Sequence, residues 1–260
     1  MSSGHHHQLY RAGDTPVHRL PPQCKLAAVA AFALVVVATP REWFAAFGAY
    51  ALLLAAVAVT ARIPAGFVLR RMVIEIPFVL FALAIPFIGT GERVQVVGLS
   101  LSLPGLWAAW NILAKATLGV VASILLAATT EPRMLLLGAQ RLRLPPMLVQ
   151  IAMFMLRYMD VILDEMRRMR VARESRGFTA RDARHIPVVA RSAGALFIRS
   201  YERGERVHLA MLSRGYTGSM PVIQDLTPSA GQWLVAGTLP GAALAVLLGA
   251  WGLTGVWGVS

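Results

Sequence analysis

The chain has 260 residues, 57% of them hydrophobic, yet it carries 25 Lys and Arg against 13 Asp and Glu, a net charge of +12. A water-soluble domain of this length would not need the long uncharged runs that this sequence contains. The single cysteine, Cys24, excludes an intrachain disulfide framework and a metal site built from cysteines alone.

The first 20 residues are polar, and we expect no cleavable signal peptide there. They include three adjacent histidines, His5, His6 and His7. We interpret these as part of a solvated tail, with a functional metal site as the less favoured alternative. Adjacent histidines in a polar segment are only a weak indication of metal binding.

Five uncharged or nearly uncharged runs predict membrane-spanning helices, because about 20 apolar residues suffice to cross a bilayer. They are residues 26–40, 43–61, 72–89, 94–130 and 226–260. The sequence therefore predicts an all-α fold, a polytopic membrane protein with about five transmembrane helices and a cytoplasmic helical domain.

Two charged residues fall inside these spans, at depths that differ by about 17 Å. Glu75 lies near the inner end of the third span, where we expect it to pair with Arg71, one turn earlier. Lys115 lies deep in the fourth span, and a charge there requires a protein contact. We expect that contact inside the chain, with Asn111 as a candidate one turn away; contact with another subunit is the alternative.

The loop between the third and fourth spans reads "GERVQVVGLSLSLPG" over residues 91–105. Its apolar and polar residues alternate, which favours a short β-hairpin or an extended lid over a helix.

The distribution of basic residues predicts the orientation in the membrane. If the N-terminus is cytoplasmic, the inside segments are residues 1–25, 61–71 and 131–225, which hold 3, 3 and 16 of the Lys and Arg residues. The opposite side receives only Arg41 and Arg93. By the positive-inside rule the N-terminus is cytoplasmic and the C-terminus lies outside.

Residues 131–225 form a long insertion between the fourth and fifth spans, and we predict three domains: 1–130, 131–225 and 226–260. A short helix is predicted after Thr130, with Pro132 in its first turn. The sequence "RLRLPP" at 141–146 ends it. Two long helices follow, at about 146–176 and 187–214.

Each long helix ends in the same polar signature, "ESRGFTA" at 174–180 and "LSRGYTG" at 212–218. Locally, each is predicted to be a helix C-cap, with a left-handed glycine and a following aromatic residue that folds back. A capped end is also a rigid support that presents its last arginine outward. We therefore predict recognition of a partner protein by six residues: Ser175, Arg176, Gly177, Ser213, Arg214 and Gly215.

This arrangement resembles the transmembrane T component of energy-coupling factor (ECF) transporters. That family joins a membrane domain to two cytoplasmic coupling helices, each with an arginine-centred motif; it often has Ala where this chain has Ser175 and Ser213. The stretches "LYRAGDTPVHRLPPQCKL" at 9–26 and "RRMVIEIPFVLFALAIPF" at 70–87 are similar to the CbiQ type, the cobalt-transporting branch.

The resemblance implies a non-catalytic permease subunit of the plasma membrane that transmits ATPase motion during uptake of cobalt ions. It implies two cytoplasmic ATPase subunits docked on the six motif residues, a metal-binding membrane S component and a small accessory membrane subunit. It implies neither a cofactor nor a metal site in this chain. The sequence contains no G-x-x-x-x-G-K-[ST] phosphate loop, so ATP hydrolysis is expected in a partner.

Three alternatives remain at this stage. The first is a T component for nickel or a vitamin, and the second is an integral-membrane enzyme, which the lack of any clustered catalytic constellation disfavours. The third is that residues 131–225, with a net charge of +7, bind nucleic acid or anionic lipid. Interleaved acidic residues argue against nucleic acid, whereas lipid contact on the basic face stays compatible with the main interpretation.

Overall fold

The structure is a computed structural model and describes residues 9–89, 92–96, 99–178, 185–218 and 227–257. His5, His6 and His7 lie outside the described residues, as do the last two residues of the first signature. The helices are α1 (Pro16–Arg19), α2 (Pro22–Ala38), α3 (Phe44–Thr60), α4 (Ala65–Arg71), α5 (Ile76–Ile88), α6 (Leu103–Thr129), α7 (Pro132–Arg141), α8 (Pro146–Glu174), α9 (Ile186–Leu212) and α10 (Ala230–Trp257), with a 3-10 turn over Met72–Glu75.

The chain divides into two compact units. One contains Leu9–Ala139 and the described part of Leu226–Ser260, and the other contains the described part of Gln140–Asp225. We call them the membrane unit and the helix-pair unit. The three predicted cytoplasmic helices are present as α7, α8 and α9, within a few residues of their predicted ends.

Four helical segments in the described parts of the chain are long and apolar enough to cross a membrane: Ala65–Ile88, Leu103–Thr129, Pro146–Glu174 and Ala230–Gly252. Three of these coincide with predicted spans. The first two predicted spans are the apolar helices α2 and α3, each of 17 residues, or about 26 Å at 1.5 Å per residue. The segment Pro146–Glu174 qualifies by length and composition, although the sequence predicts it on the cytoplasmic side.

The predicted hairpin is confirmed. Strands β1 (Arg93–Val96) and β2 (Leu99–Ser102) pair antiparallel, with Arg93 opposite Ser102. Ser102 also caps α6, since its Oγ accepts a hydrogen bond from the Gly105 main-chain N–H at 3.4 Å. The hairpin thus leads directly into α6, a membrane-unit helix of 27 residues.

The core of the membrane unit lies between α2, α3, α6 and α10. Tyr50 is fully buried there, with the rings of Phe32 and Phe47 edge-on at 6.0 and 6.3 Å between centroids. Thr39 Oγ1 donates to the Val35 carbonyl and lies 3.0 Å from the Tyr50 hydroxyl. The phenol therefore donates to Thr39, and this buried hydroxyl is satisfied without water.

A cavity of about 460 Å³ marks one end of this bundle. Its walls are mostly apolar and include Lys25 near the start of α2, Thr60 at the end of α3, Thr129 at the end of α6 and Val235 near the start of α10. Helix ends that the charge pattern assigns to the inside therefore lie together, as alternating passes through a membrane require.

The two charged residues within predicted spans have partners on other elements. Glu75 is buried, and its Oε1 accepts a hydrogen bond from Thr117 on α6 at 2.6 Å, a contact that the sequence did not indicate. Lys115 donates to the Val37 carbonyl at 2.8 Å, which confirms the expected protein contact. The suggested partner was wrong, because Asn111 Oδ1 has no hydrogen-bond partner among the described residues.

Candidate functional site

Helices α8 and α9 run antiparallel, as three side-chain contacts along their lengths show. Near the start of α8, Gln150 meets Tyr216, just beyond the end of α9. Glu165 meets Arg199 and Arg203 in the middle. Towards the end of α8, Arg173 meets Ser192 near the start of α9. Rising sequence numbers on α8 therefore pair with falling numbers on α9.

The first signature forms the C-cap of α8. Gly177 has a φ of +78°, the left-handed conformation that glycine adopts without steric penalty. Its N–H donates to the Glu174 carbonyl at 3.0 Å, and the N–H of Phe178 donates to the Arg173 carbonyl at 3.1 Å. These two bonds define a Schellman motif, so the predicted cap is confirmed.

The second signature repeats this geometry at the end of α9. Gly215 has a φ of +80°, its N–H donates to the Leu212 carbonyl, and the N–H of Tyr216 donates to the Met211 carbonyl. The serines also match: Ser175 Oγ donates to the Ala172 carbonyl at 3.1 Å and Ser213 Oγ to the Ala210 carbonyl at 3.0 Å. The sequence repeat is therefore also a structural repeat.

The antiparallel arrangement separates the two signatures. Arg176 lies three residues beyond Arg173, which contacts Ser192, whereas Arg214 lies 22 residues beyond Ser192. The helices are antiparallel, so these two offsets add, and at 1.5 Å per helical residue the two arginines are about 37 Å apart along the helix axes. All six predicted site residues are exposed. The structure thus presents two similar, separate, accessible arginine ends rather than one combined site.

A cluster of charged residues centred on Glu165 links α8 and α9 at their middle, and the sequence pattern did not predict it. Glu165 Oε1 accepts from Arg199 at 2.6 Å, and Oε2 lies 3.4 Å from Arg203 and 3.7 Å from Arg168. The Glu165 side chain is 14% exposed, whereas that of neighbouring Asp164 is 57% exposed and, among the described residues, pairs with Arg167 of the same helix. No local pattern distinguishes these two acids, because the deciding arginines lie more than 30 residues away.

The helix-pair unit has almost no hydrophobic interior. Val149 is the one buried residue of α8, and α9 has none. Large apolar side chains on these helices are instead more than half exposed, among them Met147, Met155, Val171, Phe197, Tyr201 and Leu209. Apolar exposure on this scale marks a surface for lipid or protein.

The described residues contain no cluster of three or more His, Cys, Asp and Glu side chains that could hold a metal ion. The described part of the helix-pair unit presents charged and apolar surfaces, with an exposed arginine at each end.

The chain is similar in sequence to known transport proteins. A family model described as CbiQ, cobalt transport protein, matches residues 13–223. An uncharacterised protein of Methanocaldococcus jannaschii is 36% identical over 42% of this chain and 41% of its own length. The energy-coupling factor transporter transmembrane protein EcfT of Listeria innocua is 28% identical over 80% of this chain and 83% of its own.

The cobalt transport protein CbiQ of Rhodobacter capsulatus is 29% identical over 71% of this chain and 75% of its own length. The chain spans 41% of the first relative above and 62% of a second uncharacterised protein from the same organism. Because the family model covers most of the chain, including α8 and α9, this multi-pass membrane protein belongs to the CbiQ family of cobalt transport proteins and is a T component of the ECF type.

Proposed function

We propose that this chain is the energy-coupling subunit of an ATP-driven importer and that its two arginine ends each dock one cytoplasmic ATPase subunit. One observation carries the proposal: the same exposed Ser-Arg-Gly cap is built twice, about 37 Å apart, at opposite ends of one helix pair. A pair of equivalent ATPase subunits offers two equivalent grooves, and a single chain can occupy both only by duplicating its docking motif.

Arginine suits this role for a chemical reason. Its planar guanidinium keeps its charge and can bind a carboxylate through two parallel hydrogen bonds, which lysine cannot do. Arg176 and Arg214 are therefore expected to insert into acidic grooves of the ATPase subunits. Removing either one would leave an acidic partner buried without its counter-charge, a loss of about 2–5 kcal/mol in binding.

The proposal places α8 and α9 on the cytoplasmic side, with the N-terminus also inside. The apolar side chains of α8 give way to a dense series of charges after Asp160, which a bilayer would not accommodate cheaply. The exposed apolar side chains of both helices are then available to membrane partners, namely a metal-binding S component and a small accessory subunit, and to lipid.

We propose cobalt as the transported ion, with nickel or a vitamin as the alternatives. The support is the description of the family and the name of the Rhodobacter capsulatus relative. Cells that carry the complete transporter should accumulate radiolabelled cobalt in an ATP-dependent manner. Accumulation of a vitamin without any divalent metal would show that the cobalt assignment is wrong.

The chain itself is expected to act without catalysis, since its sequence contains no phosphate-binding loop. The purified chain, free of partner ATPases, should show no ATP turnover above a buffer control. Measurable hydrolysis by the chain alone would overturn this part of the proposal.

The docking proposal is tested by charge reversal at both ends. The double variant Arg176→Glu, Arg214→Glu should insert in the membrane, lose its ATPase subunits on purification and abolish uptake, and each single variant should weaken assembly less. The matched control is Arg170→Glu, Arg206→Glu, which makes the same charge change at arginines paired with Glu174 and Glu202 on their own helices. A double docking variant that co-purifies and transports like the wild type would refute the docking role.

A further inference from the structure

Each docking motif is tied to the opposite helix by one short side-chain hydrogen bond. At the end of α8, Arg173 Nη1 donates to Ser192 Oγ at 2.6 Å. At the end of α9, the Tyr216 hydroxyl donates to Gln150 Oε1, also at 2.6 Å. We call these the Arg173–Ser192 contact and the Tyr216–Gln150 contact.

The two contacts use different chemistry. Ser192 Oγ donates its own proton to the Val188 carbonyl at 3.2 Å, so its lone pairs are available to accept from the Arg173 guanidinium. Both atoms are partly buried. The bond is charge-assisted, and such bonds are stronger than neutral ones.

The Tyr216–Gln150 contact is neutral, and the residue at the equivalent position of the first signature, Phe178, has no hydroxyl to form one. Phe178 stands where the second signature has Tyr216, and without a hydroxyl its ring meets the His185 ring edge-on at 5.2 Å. Phe178 and Tyr216 therefore occupy equivalent positions in the sequence repeat but make different contacts at the two ends.

These contacts matter because little else fixes the helix ends. A Schellman cap sets the backbone of the last turn, but not the direction of a helix of 27 or 29 residues. The helix pair has one buried side chain, Val149, so no hydrophobic core holds the ends in place. Polar contacts between the helices therefore decide where each arginine points.

We propose that the Arg173–Ser192 contact positions Arg176, and the Tyr216–Gln150 contact positions Arg214, each independently of the other. Ser192 and Tyr216 are then positioning residues, each specific for one docked ATPase subunit. This inference rests on the proposed docking function. It adds that ATPase binding at each end can be weakened separately while Arg176 and Arg214 are both kept.

The experiment measures ATPase binding by one end at a time. In an Arg176→Glu background only the second end docks, and in an Arg214→Glu background only the first. Tyr216→Phe and Ser192→Ala each remove one hydroxyl, and each is introduced into both backgrounds of the full-length chain. The affinity for the purified ATPase subunit is then titrated with the chain in nanodiscs.

Tyr216→Phe should weaken binding about two- to tenfold in the Arg176→Glu background and less than about twofold in the other. Ser192→Ala should show the reverse preference, and Ser192→Thr, which keeps a hydroxyl, should bind like its parent. Equal effects in both backgrounds, or no effect in either, would overturn the proposal. If the Arg176→Glu, Arg214→Glu chain binds like the wild type, the docking function itself fails, which is a separate result.

Discussion

The ammonium group of Lys25, at the start of α2, donates a hydrogen bond to the main-chain oxygen of Thr129, 104 residues later, at 3.0 Å. It also donates to Thr130 Oγ1 at 3.0 Å and to the His18 carbonyl at 3.2 Å, so all three N–H groups are used. Lys25 is only 6% exposed. Lys25 therefore joins the N-terminal segment to the end of α6.

Replacing Lys25 by Met should destabilise the membrane unit by about 2–4 kcal/mol, because it leaves buried oxygens at Thr129 and Thr130 without donors. Thermal unfolding of the detergent-solubilised protein measures this. The matched control is Lys115→Met, which removes a partly exposed lysine with a single acceptor, the Val37 carbonyl. A Lys25→Met protein as stable as the wild type would show that water replaces the lost donors.

Helices α5 and α6 are in close contact at a glycine. A Cβ atom on Gly105 would lie 2.8 Å from Pro86 Cα, a main-chain atom that cannot rotate away. Gly105→Ala should therefore cost about 1–3 kcal/mol of stability. Gly119→Ala on the same helix is the control, since a Cβ there meets nothing within 4 Å. Equal melting temperatures of the two variants would contradict the close contact.

Local features of this fold could be predicted from the sequence, whereas contacts between distant residues could not. The left-handed conformations of Gly177 and Gly215 follow from a glycine placed just after a charged helix end, and the hairpin follows from strict alternation. The partner of Glu75 was missed because Thr117 lies 42 residues away on another helix. The sequence suggested Arg71 one turn away as a partner for this acid, and it gave no sign that packing between helices also places a hydroxyl against the carboxylate.

The same limit applies to the candidate site. The repeat indicated the six candidate residues, because Ser, Arg and Gly recur in register with an aromatic residue. It did not reveal that Tyr216 bonds to Gln150 whereas Phe178 meets His185. The Tyr216–Gln150 bond arises from the antiparallel pairing of α8 with α9, which brings together two residues 66 positions apart that no short-range pattern connects.

Glu165 should control how tightly the two helices are held. Glu165→Gln removes the charge that binds Arg199 and Arg203, so the distance between spin labels placed on α8 and α9 should broaden in its distribution. Asp164→Asn is the control at the adjacent position, since the described partner of Asp164 is Arg167 on its own helix. An unchanged distance distribution in the Glu165→Gln protein would show that the other contacts suffice.

The two cap glycines offer the most direct test of whether cap geometry and docking are linked. Alanine at Gly177 or Gly215 must adopt a φ near +80°, which costs an L-residue about 1–2 kcal/mol, or else unwind the last turn. Either response displaces the adjacent arginine, so Gly177→Ala and Gly215→Ala should each lower ATPase affinity as well as thermal stability.

Gly194→Ala and Gly204→Ala are the matched controls for the cap variants. Both glycines lie inside α9, where a Cβ meets nothing within 4 Å and alanine favours the helix by about 0.5–1 kcal/mol. They should leave affinity unchanged and stability equal or slightly higher. Cap variants that lose stability yet bind the ATPase subunits with wild-type affinity would show that docking does not depend on the cap. Arg176 and Arg214 would then bind without the rigid support that the left-handed glycines provide.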